Sequence, residues 1–235
     1  MSMENNFVNI KSGTGMPQDL ILVRHGQSEG NVVIHSLQNG EELDIPIAFS
    51  RTHDWQYRLS SKGVDQAKSA GDWLEDQFGP IADSFNERYA SPYMRARETA
   101  LHLGGLATKW LLDDRLTERD WGVYNSVPYN ERSLHFPHTE KMREISPLKW
   151  RPDGGEALMG EVLLRFRDWF DDIKKEQNGK RVLAVSHGEL MWVARYVIEQ
   201  MLPEEWEEAE SDKSQQIYNC DIYWYLSLIH ISEPT

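Results

Sequence analysis

Two histidines occupy equivalent positions in the sequence, each directly before a glycine and directly after a short, largely apolar run. His25 follows residues 20–24, and His187 follows residues 181–186. A single histidine in such a position is usually structural. Two of them at the ends of two predicted strands indicate a shared site, because ligands of open α/β sheets bind beyond the carboxyl ends of the strands. The glycine after each histidine lets the backbone come close to a ligand.

Two arginines can give such a site fixed positive charge. Arg24 directly precedes His25, and Arg95 lies in a predicted helix that follows another strand. A guanidinium suits phosphate oxygens because its donors form a planar fork and because it does not deprotonate in proteins. Asn31, one turn beyond His25, can add a neutral donor. These residue types predict a site for a small phosphate group.

Short apolar runs alternate with amphipathic segments, and these elements must position the site. Strands are predicted at 20–23, 87–90, 109–112, 181–185 and 222–226. Helices are predicted at 64–78, 92–104, 156–177 and 190–201. A serine before the first helix is expected to cap it, and Ser91 and Pro92 are expected to cap and open the second. The alternation predicts an α/β fold with a largely parallel sheet.

Two segments depart from this alternation. Residues 121–155 are rich in Pro, Asn, His, aromatic and basic residues and are too long for a simple connection, which predicts a cap insertion with some short helix. Residues 228–235 fit either an ordinary frayed terminus or a non-native tail such as translated adapter sequence, and we assign them no function. The prediction is one domain over 1–235, with its core at about 19–226.

Composition excludes several classes of protein. The chain has 235 residues, of which 40% are hydrophobic, enough for one sizeable core. Its 38 acidic and 25 basic residues give a formal net charge of −13, which disfavours nucleic acid as a partner. No apolar run is long enough to span a bilayer and the first 18 residues lack a signal-peptide core, so we expect no membrane association and a cytoplasmic location.

The cysteine and histidine residues of the sequence show no pattern typical of a metal site. The single cysteine excludes an intramolecular disulfide and a multi-cysteine zinc site, and no two histidines have the spacing of a helical metal pair. We therefore predict no metal and no cofactor, and a small phosphorylated substrate as the partner. The sequence leaves open whether the chain is a monomer or a homodimer.

Five segments together carry a family resemblance. They are residues 22–31 (LVRHGQSEGN), 91–100 (SPYMRARETA), 116–122 (LTERDWG), 151–156 (RPDGGE) and 185–188 (VSHG). In type and in order they resemble the signature segments of the histidine phosphatase superfamily, also called phosphoglycerate mutase-like. The resemblance covers about 19–226, nearly the whole chain. It implies a three-layer sandwich, with a mostly parallel central sheet flanked by helices and a cap insertion.

The resemblance also implies a role for each candidate residue. His25 would attack phosphorus to form a phosphohistidine. Glu118 would protonate the leaving alcohol and then act as base for the incoming water. The residues expected to hold the phosphoryl group are Arg24, Asn31, Arg95, His187 and Gly188. Two arginines and one imidazolium would neutralise the phosphate charge without a metal.

Three functions remain open at this point. The first is hydrolysis of a small phosphomonoester, the second is a cofactor-dependent phosphoglycerate mutase, and the third is non-catalytic binding of a phosphorylated ligand or a partner. The third is disfavoured because every candidate catalytic position is occupied. Residues 121–127 and Glu189 depart from the mutase pattern, which favours hydrolysis. The cap residues Arg132, Lys149, Trp150 and Arg151 predict a substrate with further negative charge or a ring.

Overall fold

The strands form one six-stranded sheet in a computed structural model, which describes residues 6–10, 16–39, 52–127 and 131–227. The strands are β1 (Asn6–Ile10), β2 (Asp19–Arg24), β3 (Glu87–Ala90), β4 (Leu111–Leu112), β5 (Arg181–Ser186) and β6 (Ile222–Ser227). Their order across the sheet is β1-β6-β2-β5-β3-β4. β2, β5, β3 and β4 are mutually parallel, whereas β6 is antiparallel to β2 and carries β1 parallel to itself. The predicted mostly parallel sheet is therefore confirmed.

The register of the central strands places the site. β2 pairs with β5 so that Arg24 lies opposite Ser186. The two following residues, His25 and His187, therefore leave the sheet at the same edge. β3 runs parallel to β5 on the other side, and its last residue, Ala90, pairs with Val185. Three chain segments consequently converge at this edge.

The helices of the structure cover both faces of the sheet. They are α1 (Glu29–Gln38), α2 (Ser61–Phe78), α3 (Ile81–Ser84), α4 (Met94–Gly104), α5 (Arg132–His135), α6 (Pro137–Ile145), α7 (Leu163–Glu176), α8 (Gly188–Ile198) and α9 (Pro203–Ser211). Short 3-10 turns lie at Asp54–Gln56, Asp114–Leu116, Gly122–Ser126 and Lys213–Gln215. Among the residues described, no helix combines the length and the apolar character needed to cross a membrane.

Alternate side chains of the central strands point to opposite faces and build two cores. Leu20 and Leu22 of β2 pack with α7 and α8 on one face. Ile21 and Val23 pack with α2 and α4 on the other face. Both faces are buried, which explains why these strands read as continuous apolar runs. The predicted three-layer sandwich is confirmed.

Two helix boundaries differ from the prediction. Ser91 and Pro92 do not open a helix, because the Ser91 Oγ accepts a hydrogen bond from the backbone N–H of Tyr93 at 3.3 Å and forms a turn before α4. The segment predicted as one helix at 156–177 starts with a π-helical turn at Leu158–Val162, in which Gly160 has φ −134° and ψ −106°. Regular helix begins only at α7. The predicted cap of α2 is confirmed as Ser60, whose Oγ accepts from the N–H of Gly63 at 3.1 Å.

Several elements were missed or misplaced. No strand was predicted before residue 19, yet β1 adds to the edge of the sheet beside β6. α1 was not predicted as a helix, and the acidic segment 204–212, which was left open as a solvated helix or an interface rim, forms most of α9. The strand predicted at 109–112 is reduced to β4, and the helix predicted at 190–201 is α8, which starts and ends earlier. The cap insertion holds short helices as expected, and residues 228–235 lie outside the described residues.

Candidate active site

His25 and His187 meet at the carboxyl ends of β2 and β5. Their ring centroids lie 5.0 Å apart. Their exposed fractions are 2% and 0%. Gly26 lets the start of α2 approach the backbone directly after His25, because a Cβ at that position would lie 2.4 Å from the backbone oxygen of Gly63. The predicted pairing of the two histidines at one sheet edge is confirmed.

The contacts of His25 fix its tautomer. Its Nδ1 lies 2.7 Å from the backbone oxygen of Gly26, which can only accept, so Nδ1 carries the proton. Its Nε2 accepts from Nε of Arg95 at 3.2 Å and therefore holds the lone pair. Burial, and then the charges of Arg95 and Arg24, lower the pKa of His25 well below 6.5. His25 is thus a neutral imidazole whose Nε2 can act as a nucleophile.

Arg95 is shared between His25 and an acidic residue that the sequence analysis missed. Its Nη1 and Nη2 each lie 3.1 Å from a carboxylate oxygen of Asp54, and Nη1 also donates to the Asp54 backbone oxygen at 2.7 Å. Asp54 comes from a short 3-10 turn with no apolar period, so no local pattern marked it. The carboxylate binds the same guanidinium fork that a phosphate would use.

Arg24 leaves the end of β2 and crosses the start of α8. Its Nη1 donates to the backbone oxygen of Ile217. A Cβ at Gly188 would lie 3.4 Å from its Nε, so glycine leaves room for the guanidinium there. That Nε is buried and has no hydrogen-bond partner among the described residues. Gly188 also begins α8, where backbone N–H groups favour an anion.

Glu118 lies within electrostatic reach of both arginines. Its Oε1 accepts from the backbone N–H of Arg119 at 3.0 Å. Burial raises the pKa of Glu118, and the charges of Arg95 and Arg24 oppose this shift. A carboxyl group with a raised pKa can carry a proton to a leaving oxygen, as the predicted acid role requires.

His187 differs from the prediction in its charge. Its Nε2 lies 2.8 Å from the Ser91 hydroxyl, and its ring packs against Tyr93 with centroids 5.1 Å apart. Burial first, and then the charges of Arg95 and His25, lower the pKa of His187 well below 6.5. Without a ligand these surroundings favour a neutral His187 ring, whereas the prediction gave it a positive charge. A bound phosphate dianion would act in the opposite direction and favour the charged ring.

Asn31 joins the site through a residue that was not predicted. It forms a capping box with Ser28 at the start of α1. Its Oδ1 lies 3.2 Å from Nδ2 of Asn219, and the same Nδ2 donates to the backbone oxygen of His25 at 3.0 Å. Asn219 is 188 residues from Asn31 in sequence and lies in an irregular turn before β6, so only the fold brings it here.

Comparison with known proteins agrees with this arrangement. The family model of the histidine phosphatase superfamily (branch 1) matches residues 20–223. The chain belongs to the histidine phosphatase superfamily. The predicted family is thereby confirmed, and the match covers the strands and helices that carry the site.

Among curated relatives of this superfamily member are phosphoglycerate mutases. The 2,3-bisphosphoglycerate-dependent phosphoglycerate mutase of Bradyrhizobium diazoefficiens is 32% identical over 197 residues, which cover 79% of this chain and 83% of that protein. The enzyme of the same description from Azorhizobium caulinodans is 28% identical over 198 residues, which cover 80% and 85%.

Solved structures similar to this chain include phosphatases. A mycobacterial glucosyl-3-phosphoglycerate phosphatase in complex with VO3 has a TM-score of 0.65 and 21% identity, and covers 92% of this chain and 100% of that chain. A phosphoserine phosphatase from Entamoeba histolytica in complex with 3-phosphoglyceric acid has a TM-score of 0.64 and 20% identity, with 88% and 89% covered. At this identity the likeness shows the fold. Phosphatases and mutases, the two enzyme types predicted, both occur among the matches.

In this histidine phosphatase superfamily member, the Arg119 side chain, next to Glu118 in sequence, contacts several other groups of the protein. The Arg119 guanidinium lies over the rings of both Trp121 and Trp150, with centroid distances of 4.8 and 4.6 Å. It also donates to two backbone oxygens, and its Nη1 lies 3.7 Å from Oε2 of Glu189. Burial raises the pKa of Glu189 to about 7, so this carboxyl is partly protonated near neutral pH.

Three of the four basic and aromatic cap residues contact other groups of the protein. Trp150 is buried under Arg119, and Arg151 forms an ion pair with Glu161. Arg132 donates to the backbone oxygen of Tyr124 and lies over its ring. Which chemical group of a substrate the cap meets therefore stays a prediction.

No group of three or more His, Cys, Asp or Glu residues in the described ranges is placed to hold a metal ion. Arg24 and Arg95 supply positive charge beside His25 in its place. Independence from metal stays a prediction, and chelation tests it.

Proposed function

We propose that this chain is a phosphomonoester hydrolase that acts on a small phosphorylated metabolite through a phosphohistidine at His25. The observation that carries this proposal is the state of the His25 ring: Nδ1 is bound to Gly26, and Nε2 holds a lone pair beside Arg95. A neutral imidazole fixed in this tautomer is a ready nucleophile toward phosphorus.

In the first step, the bond between Nε2 of His25 and phosphorus forms while the ester P–O bond breaks. Glu118 gives its proton to the departing alcohol. The positive charge that develops on the ring is stabilised at Nδ1–H by the Gly26 oxygen. The groups proposed to hold the phosphoryl oxygens are Arg24, Asn31, Arg95, His187 and the backbone N–H of Gly188. Such charge neutralisation is what a loose phosphoryl-transfer transition state needs.

In the second step, water replaces the alcohol. Glu118, now a carboxylate, takes a proton from the water as its oxygen attacks phosphorus and the P–N bond breaks. The products are orthophosphate, neutral His25 and protonated Glu118, so the site returns to its first state. The two steps replace one difficult displacement by two easier ones.

The surroundings of Arg119 support hydrolysis over mutase activity. A phosphoglycerate mutase must hold the carboxylate of its substrate while the phosphoryl group returns. Here the guanidinium beside Glu118 is engaged by two rings, two backbone oxygens and Glu189. Glu189, when ionised, also opposes a second negative group on the substrate.

The mutase is the second candidate, because the curated relatives reported above carry that description. Both reactions pass through phosphorylated His25. They differ in the acceptor of its phosphoryl group, which is water in hydrolysis and the bound substrate in the mutase reaction. A mutase must exclude water until the phosphoryl group has returned. The partition between the two outcomes is therefore measurable with one substrate.

The test is an assay of phosphate release from a panel of phosphorylated metabolites, with His25→Ala as the control. In the same series, 3-phosphoglycerate is followed for both inorganic phosphate and the 2-isomer, with and without a trace of bisphosphoglycerate. We expect phosphate release that needs His25, and faster release than isomerisation. Rapid isomer exchange with negligible phosphate would overturn hydrolysis in favour of the mutase.

A further inference from the structure

The turn at Tyr218–Asp221 is tied to the backbone that leads into His25. The N–H of Cys220 donates to the Arg24 oxygen at 3.1 Å, and the N–H of Arg24 donates to the Asp221 oxygen at 3.1 Å. Cys220 has φ 63°, a left-handed conformation that side chains other than glycine rarely adopt. The turn is thus held in a costly conformation at the end of β2, and it places Asn219 directly beside His25.

The hydrogen bonds around Asn219 determine the orientation of two amide groups. The His25 backbone oxygen can only accept, so the atom of Asn219 that lies 3.0 Å from it is Nδ2. The Ser28 backbone N–H can only donate, so the atom of Asn31 that lies 3.1 Å from it is Oδ1. The contact of 3.2 Å between Asn219 and Asn31 then joins a donor to an acceptor.

This network leaves one part of Asn31 for the phosphate. Its oxygen is turned toward Ser28 and Asn219, so its NH₂ group is the part that can donate to a phosphoryl oxygen. A flipped Asn31 would place its NH₂ against two donors and its oxygen toward an anion. Both contacts would be unfavourable, because buried donors and acceptors need complementary partners.

We propose that Asn219 is a positioning residue of the active site: it holds the backbone of His25 and fixes the amide of Asn31 so that the Asn31 NH₂ group faces the phosphate. This proposal rests on the function proposed above. Asn219 itself acts through His25 and Asn31 and does not need to touch the substrate. The proposal therefore predicts that the effect of removing Asn219 depends on the presence of Asn31.

The experiment is a double-mutant cycle on binding of orthophosphate, measured by calorimetry on the full chain. The variants are Asn219→Ala, Asn31→Ala and the pair. We expect each single change to weaken binding about tenfold. We expect the pair to lie close to Asn219→Ala, because removal of the Asn31 amide costs little more once Asn219 no longer orients it. Additive losses, about a hundredfold for the pair, would show that Asn219 does not act through Asn31 and would overturn the proposal.

Two further variants separate positioning from loss of structure. Asn219→Asp keeps the shape of the side chain but replaces the donor by an acceptor, and we expect it to weaken binding at least as much as Asn219→Ala. Asn86→Ala removes an amide that accepts from the Arg181 N–H at the opposite end of the sheet, and we expect no change. Normal binding by both Asn219 variants would overturn the role of Asn219 and leave the proposed function standing. A wild-type chain that neither binds orthophosphate nor releases it from monoesters would overturn both the role of Asn219 and the proposed function.

Discussion

Nε of Arg95 lies 3.2 Å from Nε2 of His25, so the atom proposed as the nucleophile is hydrogen-bonded to the arginine expected to bind the phosphate. The rest of that guanidinium is bound to the carboxylate of Asp54. In the proposed reaction, Arg95 exchanges these partners for phosphoryl oxygens before Nε2 attacks. The phosphate therefore has to displace a contact that already exists.

Removal of the Asp54 charge is expected to strengthen phosphate binding. Asp54→Asn weakens the competitor for Arg95, so we expect orthophosphate to bind several-fold to about tenfold more tightly in calorimetry. Asp168→Asn is the matched control, because it removes the same charge from an ion pair with Arg115 and its side chain is exposed. Weaker binding by Asp54→Asn would show instead that Asp54 holds Arg95 in its productive position.

Glu118→Gln is expected to slow hydrolysis mainly for esters with poor leaving groups. An alkyl alcohol must be protonated as it departs, whereas a nitrophenolate needs little help. General acid catalysis contributes about 10²–10⁴-fold, so the alkyl phosphate should lose far more rate than the aryl phosphate. Steady-state rates on the two substrates give the comparison. Equal slowing of both would assign Glu118 to positioning and pass the acid role to another residue.

The pKa shifts of His25 and Glu118 predict the two limits of the pH profile for alkyl substrates. His25 must be neutral, and its pKa is lowered, so kcat/KM should fall on the acid side only well below pH 6.5. Glu118 must be protonated, so kcat/KM should fall as the pH rises through the pKa of Glu118, which burial raises above its ordinary range. Glu118→Gln should abolish the alkaline limb. An acid limb at pH 6.5 or above would contradict the assignment of His25.

Catalysis is expected to need no divalent ion. Arg24 and Arg95 supply fixed charge beside His25, the task that a metal performs in many phosphoryl-transfer sites. Activity after thorough chelation should stay within about twofold of the untreated protein. A large loss that magnesium or zinc restores would refute this account of the charge.

The parts of the site that the sequence predicted are those carried by regular elements. His25 and His187 end buried strands, and Arg95 lies on an amphipathic helix, so period and sheet geometry were enough to bring them together. Asp54 and Asn219 come from irregular turns whose position depends on long-range packing. Their partners are set by tertiary contacts that no local pattern encodes.

The charge state of His187 could not be predicted from the local sequence either. The neutral state of His187 follows from its complete burial beside Arg95, and burial of this degree is known only from the fold.

The irregular start of the helix near Gly160 could not be predicted from the local sequence either. The Met159 N–H donates to the Leu148 oxygen outside the segment, and the Glu161 side chain accepts from the Ala157 N–H within it, so a tertiary contact and a side-chain contact replace the regular helical pattern there.

The most direct test of the central claim is detection of phosphorus on His25 during turnover. The chain is mixed with a labelled phosphomonoester identified in the metabolite panel, quenched with alkali, and analysed by peptide mass spectrometry. We predict a phosphate adduct on His25 that is stable in alkali and lost in acid, as phosphoramidates are, and that is absent from His25→Ala. Equal labelling of the wild-type chain and His25→Ala would contradict the claim that His25 is the nucleophile.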